Sequence, residues 1–255
     1  MSHDYETSNS HFTKGDIDLY LKELAKEYRK IVGKSVPAEL ILIGGASVLL
    51  NYDFRDMTTD VDALIEADSA MKEAIRKAGD KYGLRNDWVN SEFQFTDSYS
   101  PKIIQFSVYY RTFSNVLTIR TISAEYLIAM KLRSGRRYKH DLSDVLGVLK
   151  EQKDKDKPIT MEQIRKAVCD LYGSWDSLPE GSRTFVEDAM NDGDFDRLYQ
   201  ETVLEEKITK EELSQFEKKY PGVLNDRNVD EISEKLLRES DNAIFVQVLE
   251  KQEKK

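Results

Sequence analysis

The sequence predicts an α+β protein in which helices flank a β-sheet and an all-helical part follows. Short apolar runs rich in Ile, Leu and Val stop at turn residues, which is typical of buried strands. Between them lie segments whose apolar residues recur three and four positions apart, as in amphipathic helices. After a charged segment at residues 151–158, the remaining patterns are all helical.

The N-terminal residues predict a tail and a first helix. Residues 1–15 carry Ser, Asn, His and Thr without periodicity, so we expect a disordered tail. A helix is predicted over residues 16–32, with Asp16 as its N-cap and Gly33 as its stop. Its apolar face consists of Ile17, Leu21, Leu24 and Tyr28.

Four strands and four helices are predicted between residues 38 and 150. The strands are placed at residues 38–43, 61–65, 103–110 and 116–120, and the helices at residues 46–50, 69–82, 123–132 and 141–150. The first strand stops at Gly44-Gly45, and Gly83 closes the helix at 69–82. A polar turn at Ser114-Asn115 joins the last two strands.

A domain boundary is predicted at the charged segment. Residues 151–158 contain six charges and no large apolar side chain, so we divide the chain into domains at residues 16–152 and 158–255. The second domain holds 23 Asp and Glu against 14 Lys and Arg, whereas residues 1–157 hold 24 of each sign. The excess negative charge therefore lies in the helical domain. An anionic substrate is expected to bind the N-terminal half.

Composition excludes several classes of protein. A single cysteine, Cys169, excludes an internal disulfide, and three histidines argue against a His/Cys zinc site. No apolar run approaches the ~20 residues of a membrane-spanning helix. The polar N-terminus lacks the apolar core of a signal peptide. We therefore expect a cytoplasmic protein without membrane contact.

Asp60 and Asp62 carry the first chemical signal. Side chains two apart on a strand point to the same face, so the two carboxylates lie side by side. Mg²⁺ prefers hard oxygen ligands, usually one or two carboxylates completed by water and phosphate oxygens. The pair therefore predicts a Mg²⁺ site that takes a nucleoside triphosphate.

Gly44 and Gly45 carry the second signal. A glycine turn at the start of a helix lets a phosphate approach the backbone, where free amides and the helix dipole attract anions. The hydroxyl of Ser47 is a further candidate ligand for the phosphate. These three residues are our predicted phosphate-binding turn.

The order of these motifs points to a known family. Gly44-Gly45 is followed by a short helix, Arg55 and the Thr-Thr-Asp-Val-Asp run at residues 58–62. This order resembles the polymerase-beta-like nucleotidyltransferases, in which a glycine turn precedes an Asp-x-Asp strand. Residues 124–145 are similar to the segment that follows the core in bacterial nucleotidyltransferase-like proteins related to abortive-infection toxins. The resemblance covers residues 36–150 and implies a mixed sheet.

The resemblance also implies roles for further residues. Lys131, Arg136 and Arg137 match the basic segment after the core and are expected to bind the triphosphate. Active members carry a third carboxylate on a neighbouring strand, which here is expected at residues 103–110. That run contains no acid, so Glu92 from the preceding loop is the candidate third acid.

The resulting hypothesis is a Mg²⁺-dependent nucleotidyltransferase, with Asp60 and Asp62 as catalytic and metal-binding residues. It would move a nucleoside monophosphate from a nucleoside triphosphate to a hydroxyl of tRNA or protein. By resemblance it would act as a toxin with an antitoxin partner or in phage defence. Two alternatives remain: a catalytically degenerate nucleotide-binding or regulatory module, and an enzyme that modifies antibiotics.

Overall fold

The structure is a computed structural model that describes residues 11–65, 69–225, 228–233 and 235–236. Its α-helices are α1 (Lys14–Val32), α2 (Gly44–Asn51), α3 (Ser69–Tyr82), α4 (Ala124–Ser134), α5 (Asp141–Asp154), α6 (Met161–Tyr172), α7 (Glu180–Asp192) and α8 (Phe195–Lys219). Its strands are β1 (Ala38–Leu42), β2 (Val61–Ile65), β3 (Val89–Asn90), β4 (Ser107–Phe113) and β5 (Leu117–Ile122). Short 3-10 helices lie at Glu92–Phe95, Pro101–Phe106 and Trp175–Ser177.

The five strands form one mixed sheet in the order β3-β2-β1-β5-β4. β1 runs antiparallel to β2 and parallel to β5, while β3 runs parallel to β2 and β4 antiparallel to β5. The predicted α+β class, with a mixed sheet flanked by helices and a helical C-terminal part, is confirmed.

Both faces of the sheet are buried. Leu40 and Leu42 of β1 pack with α1 and α3, whereas the alternating Ile41 and Ile43 face a second core built with α4 to α7. This alternation explains why the strand reads as a continuous apolar run. Leu64 of β2 belongs to the second core, so the face that carries Asp62 is turned toward α4 and α5.

The helices after residue 158 contribute to this second core. Ile164, Val168 and Val186 of α6 and α7 pack in the same cluster as Ile43 of the sheet and Val145 of α5. The predicted boundary at residues 152–158 thus separates two stretches of sequence that share one core. Whether the stretches behave as two domains stays a prediction.

The predicted disordered tail is too long. Residues 1–10 lie outside the described residues, but Phe12 is buried and forms a β-bridge with Thr58. The first helix begins at Lys14, two residues before the predicted N-cap. Thr13 is the N-cap, and Asp16 is its partner in a capping box. A capping box has a side-chain hydrogen-bond acceptor at both positions, so Asp16 resembles an N-cap in the sequence.

The predicted strand at residues 103–110 is also misplaced. Pro101–Phe106 is a 3-10 helix that buries Ile103, and β4 starts only at Ser107. In addition, β4 lies at the opposite edge of the sheet from β2 and β3, so it does not neighbour Asp62. Strand order depends on contacts distant in sequence, which the local apolar pattern does not encode.

Candidate active site

Asp60 and Asp62 lie at the start of β2, as predicted. Asp60 is exposed immediately before the strand, and Asp62 is half-buried on the face turned toward α4 and α5. Thr58 is buried, and its hydroxyl lies 3.3 Å from the Asp60 carbonyl and 3.4 Å from Asp60 Oδ1. The two carboxylates therefore occupy neighbouring positions at one edge of the sheet.

The environment of Asp62 disfavours its charged form. Burial and, to a smaller extent, the negative charges of Asp60 and Glu92 raise the pKa of Asp62 to about 6. A hydrogen bond from Asn90 and the positive charge of Lys131 act in the opposite direction. A cation bound between the carboxylates would relieve this repulsion.

The glycine turn lies against these carboxylates. Gly44 begins α2 with a positive φ of 56°, and a Cβ there would come within 3.3 Å of Asp62 Oδ2. At Gly45 a Cβ would meet the Thr58 hydroxyl at 2.5 Å and Arg55 at 3.1 Å. Glycine is required at Gly44 by the left-handed backbone and at Gly45 by the close neighbours. The backbone at the start of α2 therefore lies directly against the Asp62 carboxylate, with no side chain of Gly44 between them.

β3 lies beside β2 and brings two further polar groups to the site. Asn90 is the register partner of Asp62, and its side chain donates a hydrogen bond to that carboxylate. The Asn90 Oδ1 atom accepts a hydrogen bond of 2.9 Å from the backbone N–H of Glu92. Asn90 therefore links Asp62 to the start of the Glu92–Phe95 3-10 helix.

A buried ion-pair network forms the floor of the site. Lys131 Nζ lies 2.9 Å from Asp141 Oδ1 and 2.8 Å from Asp144 Oδ2. Arg55, which lies against Gly45, donates to Asp144 Oδ2 at 2.6 Å. Both aspartates are almost fully buried, so each requires its cations. The network connects α4, α5 and the segment before β2.

Two cations next to this network remain exposed. Arg136 pairs with Asp141 at 2.7 Å and is half-buried, but Arg137 and Lys139 are exposed. The pKa of Lys139 is lowered by loss of solvation and by Arg136, and both Asp60 and Asp141 lie near enough to raise it. Lys139 thus sits close to Asp60 at the entrance of the site.

A family model described as a nucleotidyltransferase of unknown function, DUF6036, matches residues 20–168. This match includes the sheet, both glycines, both aspartates and the ion-pair network. The chain belongs to this nucleotidyltransferase family. No curated protein and no solved structure matches the sequence.

In this nucleotidyltransferase-family chain, the run at residues 103–110, where the third acid was expected, does not adjoin β2. The strands next to β2 are β1 and β3, and the position on β3 that pairs with Asp62 is occupied by Asn90. Glu92 follows two residues later, exposed and close enough to raise the pKa of Asp62. Still, within the described residues no three His, Cys, Asp or Glu side chains are grouped closely enough to hold a metal. Glu92 stays a candidate third acid.

Ser47 does not fit its predicted role in the family's phosphate turn. Its side chain is fully buried, and its hydroxyl accepts a 3.1 Å hydrogen bond from the backbone N–H of Ile122 in β5. The hydroxyl therefore joins α2 to the sheet and does not reach a phosphate. Ser47 lies one turn inside an apolar helix, a position whose orientation a single residue pattern cannot reveal.

Lys131 and Arg136 are placed near the site but are already engaged. Both form ion pairs with Asp141, whose pKa is held well below its ordinary value by these two cations despite burial. Their direct contact is with the protein, whereas the side chains of Arg137 and Lys139 are exposed. The predicted basic residues lie next to the site, and Lys139, two residues after Arg137, is a further cation there that the resemblance did not include.

Among the described residues, no helix combines the length and the apolar composition needed to cross a bilayer.

Proposed function

We propose that this chain binds a nucleoside triphosphate with Mg²⁺ and transfers its nucleotidyl group to an acceptor hydroxyl. The observation that carries the proposal is the position of the Asp62 carboxylate, which lies near Asp60 and directly against the glycine start of α2. Family membership supports the reaction class.

The residues present fit a divalent metal. Two carboxylates of like charge, one of them half-buried with a raised pKa, form a site that a cation stabilises. Mg²⁺ is commonly held by one or two carboxylates with phosphate oxygens and water as the other ligands. When bound, the metal would neutralise charge on the phosphates and orient them for in-line displacement.

The phosphates would be held by backbone and side-chain groups of this chain. The start of α2 offers backbone amides and the positive end of its dipole. Arg137 and Lys139 add exposed positive charge near the entrance. Lys131 stays in its ion pairs with Asp141 and Asp144, and its positive charge would attract the phosphates without direct contact.

In the transfer step, an acceptor oxygen forms a bond to the α-phosphorus. The bond between the α-phosphorus and the oxygen that bridges it to the β-phosphate breaks. Pyrophosphate leaves, and the acceptor proton passes to a base or to water. Glu92 is the acid of this chain that we assign to accept this proton, since it is exposed beside Asp62. Such a base contributes roughly 10²- to 10⁴-fold in rate.

Nucleotide binding is tested first. Calorimetric titration of the wild type with ATP, CTP, GTP and UTP in Mg²⁺ should show binding that chelation of the metal removes. Asp60→Asn and Asp62→Asn should each weaken Mg²⁺-dependent binding at least tenfold. Asp188→Asn, at an exposed position of α7, is the control and should bind normally. Unchanged affinity in the Asp60→Asn/Asp62→Asn double variant would refute the site.

Transfer is tested separately, because a module that binds without turnover has a specific observation in its favour. Within the described residues, Asp60 and Asp62 lack a third acid in coordinating position. Incubation with α-³²P-labelled nucleotides, Mg²⁺ and cell extract should label RNA or protein if the chain is an enzyme. Labelled RNA or protein lost in Glu92→Gln supports the role of Glu92. Binding without label favours the degenerate module.

We extend the proposal to a toxin on the basis of the resemblance alone. The acceptor would be tRNA or protein, and an antitoxin would neutralise the activity. Expression of the wild type in a bacterial host should then arrest growth, while Asp62→Asn should not. Normal growth with soluble, labelling-competent protein would contradict the toxin role and leave the nucleotidyltransferase intact.

A further inference from the structure

Phe95 is exposed to an unusual degree on an otherwise anchored segment. Its side chain is 90% exposed, more than any other large apolar residue among those the structure describes. The segment around it is held in place: Phe93 packs against the second core and contacts Tyr99 edge to face, and Tyr172 donates to the carbonyl of Ser98 at 2.7 Å. The exposure of Phe95 is therefore a feature of an ordered surface.

The position of Phe95 is fixed relative to the candidate active site. The Glu92–Phe95 3-10 helix follows directly from β3, whose Asn90 is the register partner of Asp62. Asn90 also accepts the hydrogen bond from the Glu92 N–H that starts this helix. In a 3-10 helix, side chains three apart project to the same side. Phe95 therefore projects on the same side as Glu92, whose negative charge lies near enough to act on Asp62.

The burial of the neighbouring residues agrees with this geometry. Glu92, Gln94 and Phe95 are exposed, whereas Phe93 is half-buried against the second core. A rise of about 2.0 Å per residue separates Glu92 and Phe95 by about 6 Å along the helix axis. An aromatic ring thus stands at the rim of the site, beyond the carboxylates and away from the core.

We propose that Phe95 is a stacking residue for the nucleobase of a nucleotide whose phosphates lie at Asp60, Asp62 and Gly44. This inference rests on the proposed function and adds a base-binding element to it. The ring would lie against one face of the base, and every base has such a face, so stacking is tolerant of base identity. The proposed site therefore takes a purine or pyrimidine nucleotide.

The base has two sources, the bound nucleoside triphosphate or the end of an acceptor RNA. Both present the same flat aromatic face, and both bring phosphates toward the same carboxylates. Stacking on an aromatic side chain typically changes affinity by roughly 5- to 150-fold on alanine substitution. The two sources are separated by using each as the titrated probe.

The experiment measures the affinity of the wild type and Phe95→Ala for three probes with Mg²⁺: ATP, inorganic tripolyphosphate and a short single-stranded RNA. We expect Phe95→Ala to weaken ATP or RNA binding roughly 5- to 150-fold. Tripolyphosphate has no base, so its affinity should not change. Loss for ATP assigns the ring to the triphosphate base, and loss for RNA assigns it to the acceptor.

Two variants serve as controls. Phe95→Trp keeps a stacking surface and should restore affinity, and its fluorescence should change when ATP or RNA binds. Tyr109→Ala removes a 62% exposed aromatic ring from β4, at the other edge of the sheet, and should have no effect.

The outcomes separate the two proposals. In one outcome, the wild type binds tripolyphosphate and ATP with equal affinity, and Phe95→Ala changes its affinity for none of the three probes. This outcome overturns the stacking role while the phosphate site stands. If the wild type binds none of the three probes, the proposed function itself fails. If Phe95→Ala weakens tripolyphosphate and ATP alike, the ring supports the fold of the site and stacks on no base.

Discussion

At the scale of single residues, Asp62 is a position where the folded structure disfavours the charged form of a carboxyl group. Its carboxylate is half-buried and faces Asp60 and Glu92, while Asn90 and Lys131 offset part of the cost. The folded protein therefore holds a proton on Asp62 more tightly than the unfolded chain does. Deprotonation of Asp62 at neutral pH therefore lowers the free energy of unfolding, and a bound cation would offset this loss.

Asp62→Asn is predicted to stabilise the metal-free protein at pH 7. The pKa of Asp62 is about 6 in the folded state and about 4 in the unfolded chain. The penalty is absent below pH 4, grows between pH 4 and 6, and is constant above pH 6. This difference of about 2 pKa units corresponds to about 3 kcal/mol, and solvent screening at the half-buried carboxylate reduces it. The free energy of unfolding should therefore rise by about 1 to 2 kcal/mol at pH 7 and change little at pH 4.

Urea unfolding at both pH values with a chelator present measures this effect. Asp188→Asn, an exposed aspartate of α7, is the control and should change stability little at either pH. An equal effect of Asp62→Asn at pH 4 and pH 7 would show that its carboxylate is not destabilised by its surroundings. A loss of stability at pH 7 would indicate that Asp62 makes contacts that its charge strengthens.

At the scale of elements, the acidic helix α8 reaches back to the site. Glu206 is buried and accepts hydrogen bonds from the backbone N–H groups of Leu142 and Ser143 at 3.2 and 3.1 Å. It also accepts a 2.6 Å bond from the Ser143 hydroxyl. A carboxylate from α8 therefore caps the N-terminus of α5, next to Asp141 of the ion-pair network.

Glu206→Ala is predicted to lower the free energy of unfolding by about 1 to 3 kcal/mol, because three donors lose their acceptor. Glu206→Gln keeps one carbonyl oxygen and should lose less. Glu211→Ala, at an exposed site of the same helix, should be nearly neutral. Chemical denaturation of the four proteins measures these differences. Equal stability of Glu206→Ala and Glu211→Ala would show that the cap contributes nothing.

Elements defined by local patterns were predictable. The strand at 61–65, the helix at 69–82 and the turn at Ser114-Asn115 lie where the sequence places them. The strand predicted from the apolar run at Ile103 was wrong in its first residues, because a buried 3-10 helix and a strand share the same short apolar pattern. The two-residue strand β3 is too short to give a periodic signal, so the sequence does not predict that β3 pairs with β2.

The candidate site was predictable in its local parts only. The glycine turn and the carboxylates are close in sequence, and their order revealed their proximity in space. The partners of Lys131 come from α5, and the hydroxyl of Ser47 is bound by β5. Which contact satisfies a buried polar group depends on packing between distant elements, and the residue type alone does not specify it.

At the scale of the whole molecule, the chain combines a divided charge distribution with a shared core. The segment at residues 155–160 connects α5 to α6, and its side chains are exposed except for Ile159. On either side of it, residues such as Ile43 and Val168 pack in one cluster. A cut in this segment would break the backbone without exposing the core.

Limited trypsin digestion is therefore predicted to cleave first after Lys155, because the bond after Lys157 precedes Pro158 and resists trypsin. Because α6 and α7 share the second core with the sheet, the two fragments should stay together after cleavage. They should elute as one species in size-exclusion chromatography and separate only under denaturing conditions. The variant Lys155→Gln should resist this cut while keeping its other cleavage sites. Fragments that separate in native buffer, each folded, would establish two independent domains at this boundary, and rapid cleavage elsewhere with this segment intact would refute its exposure.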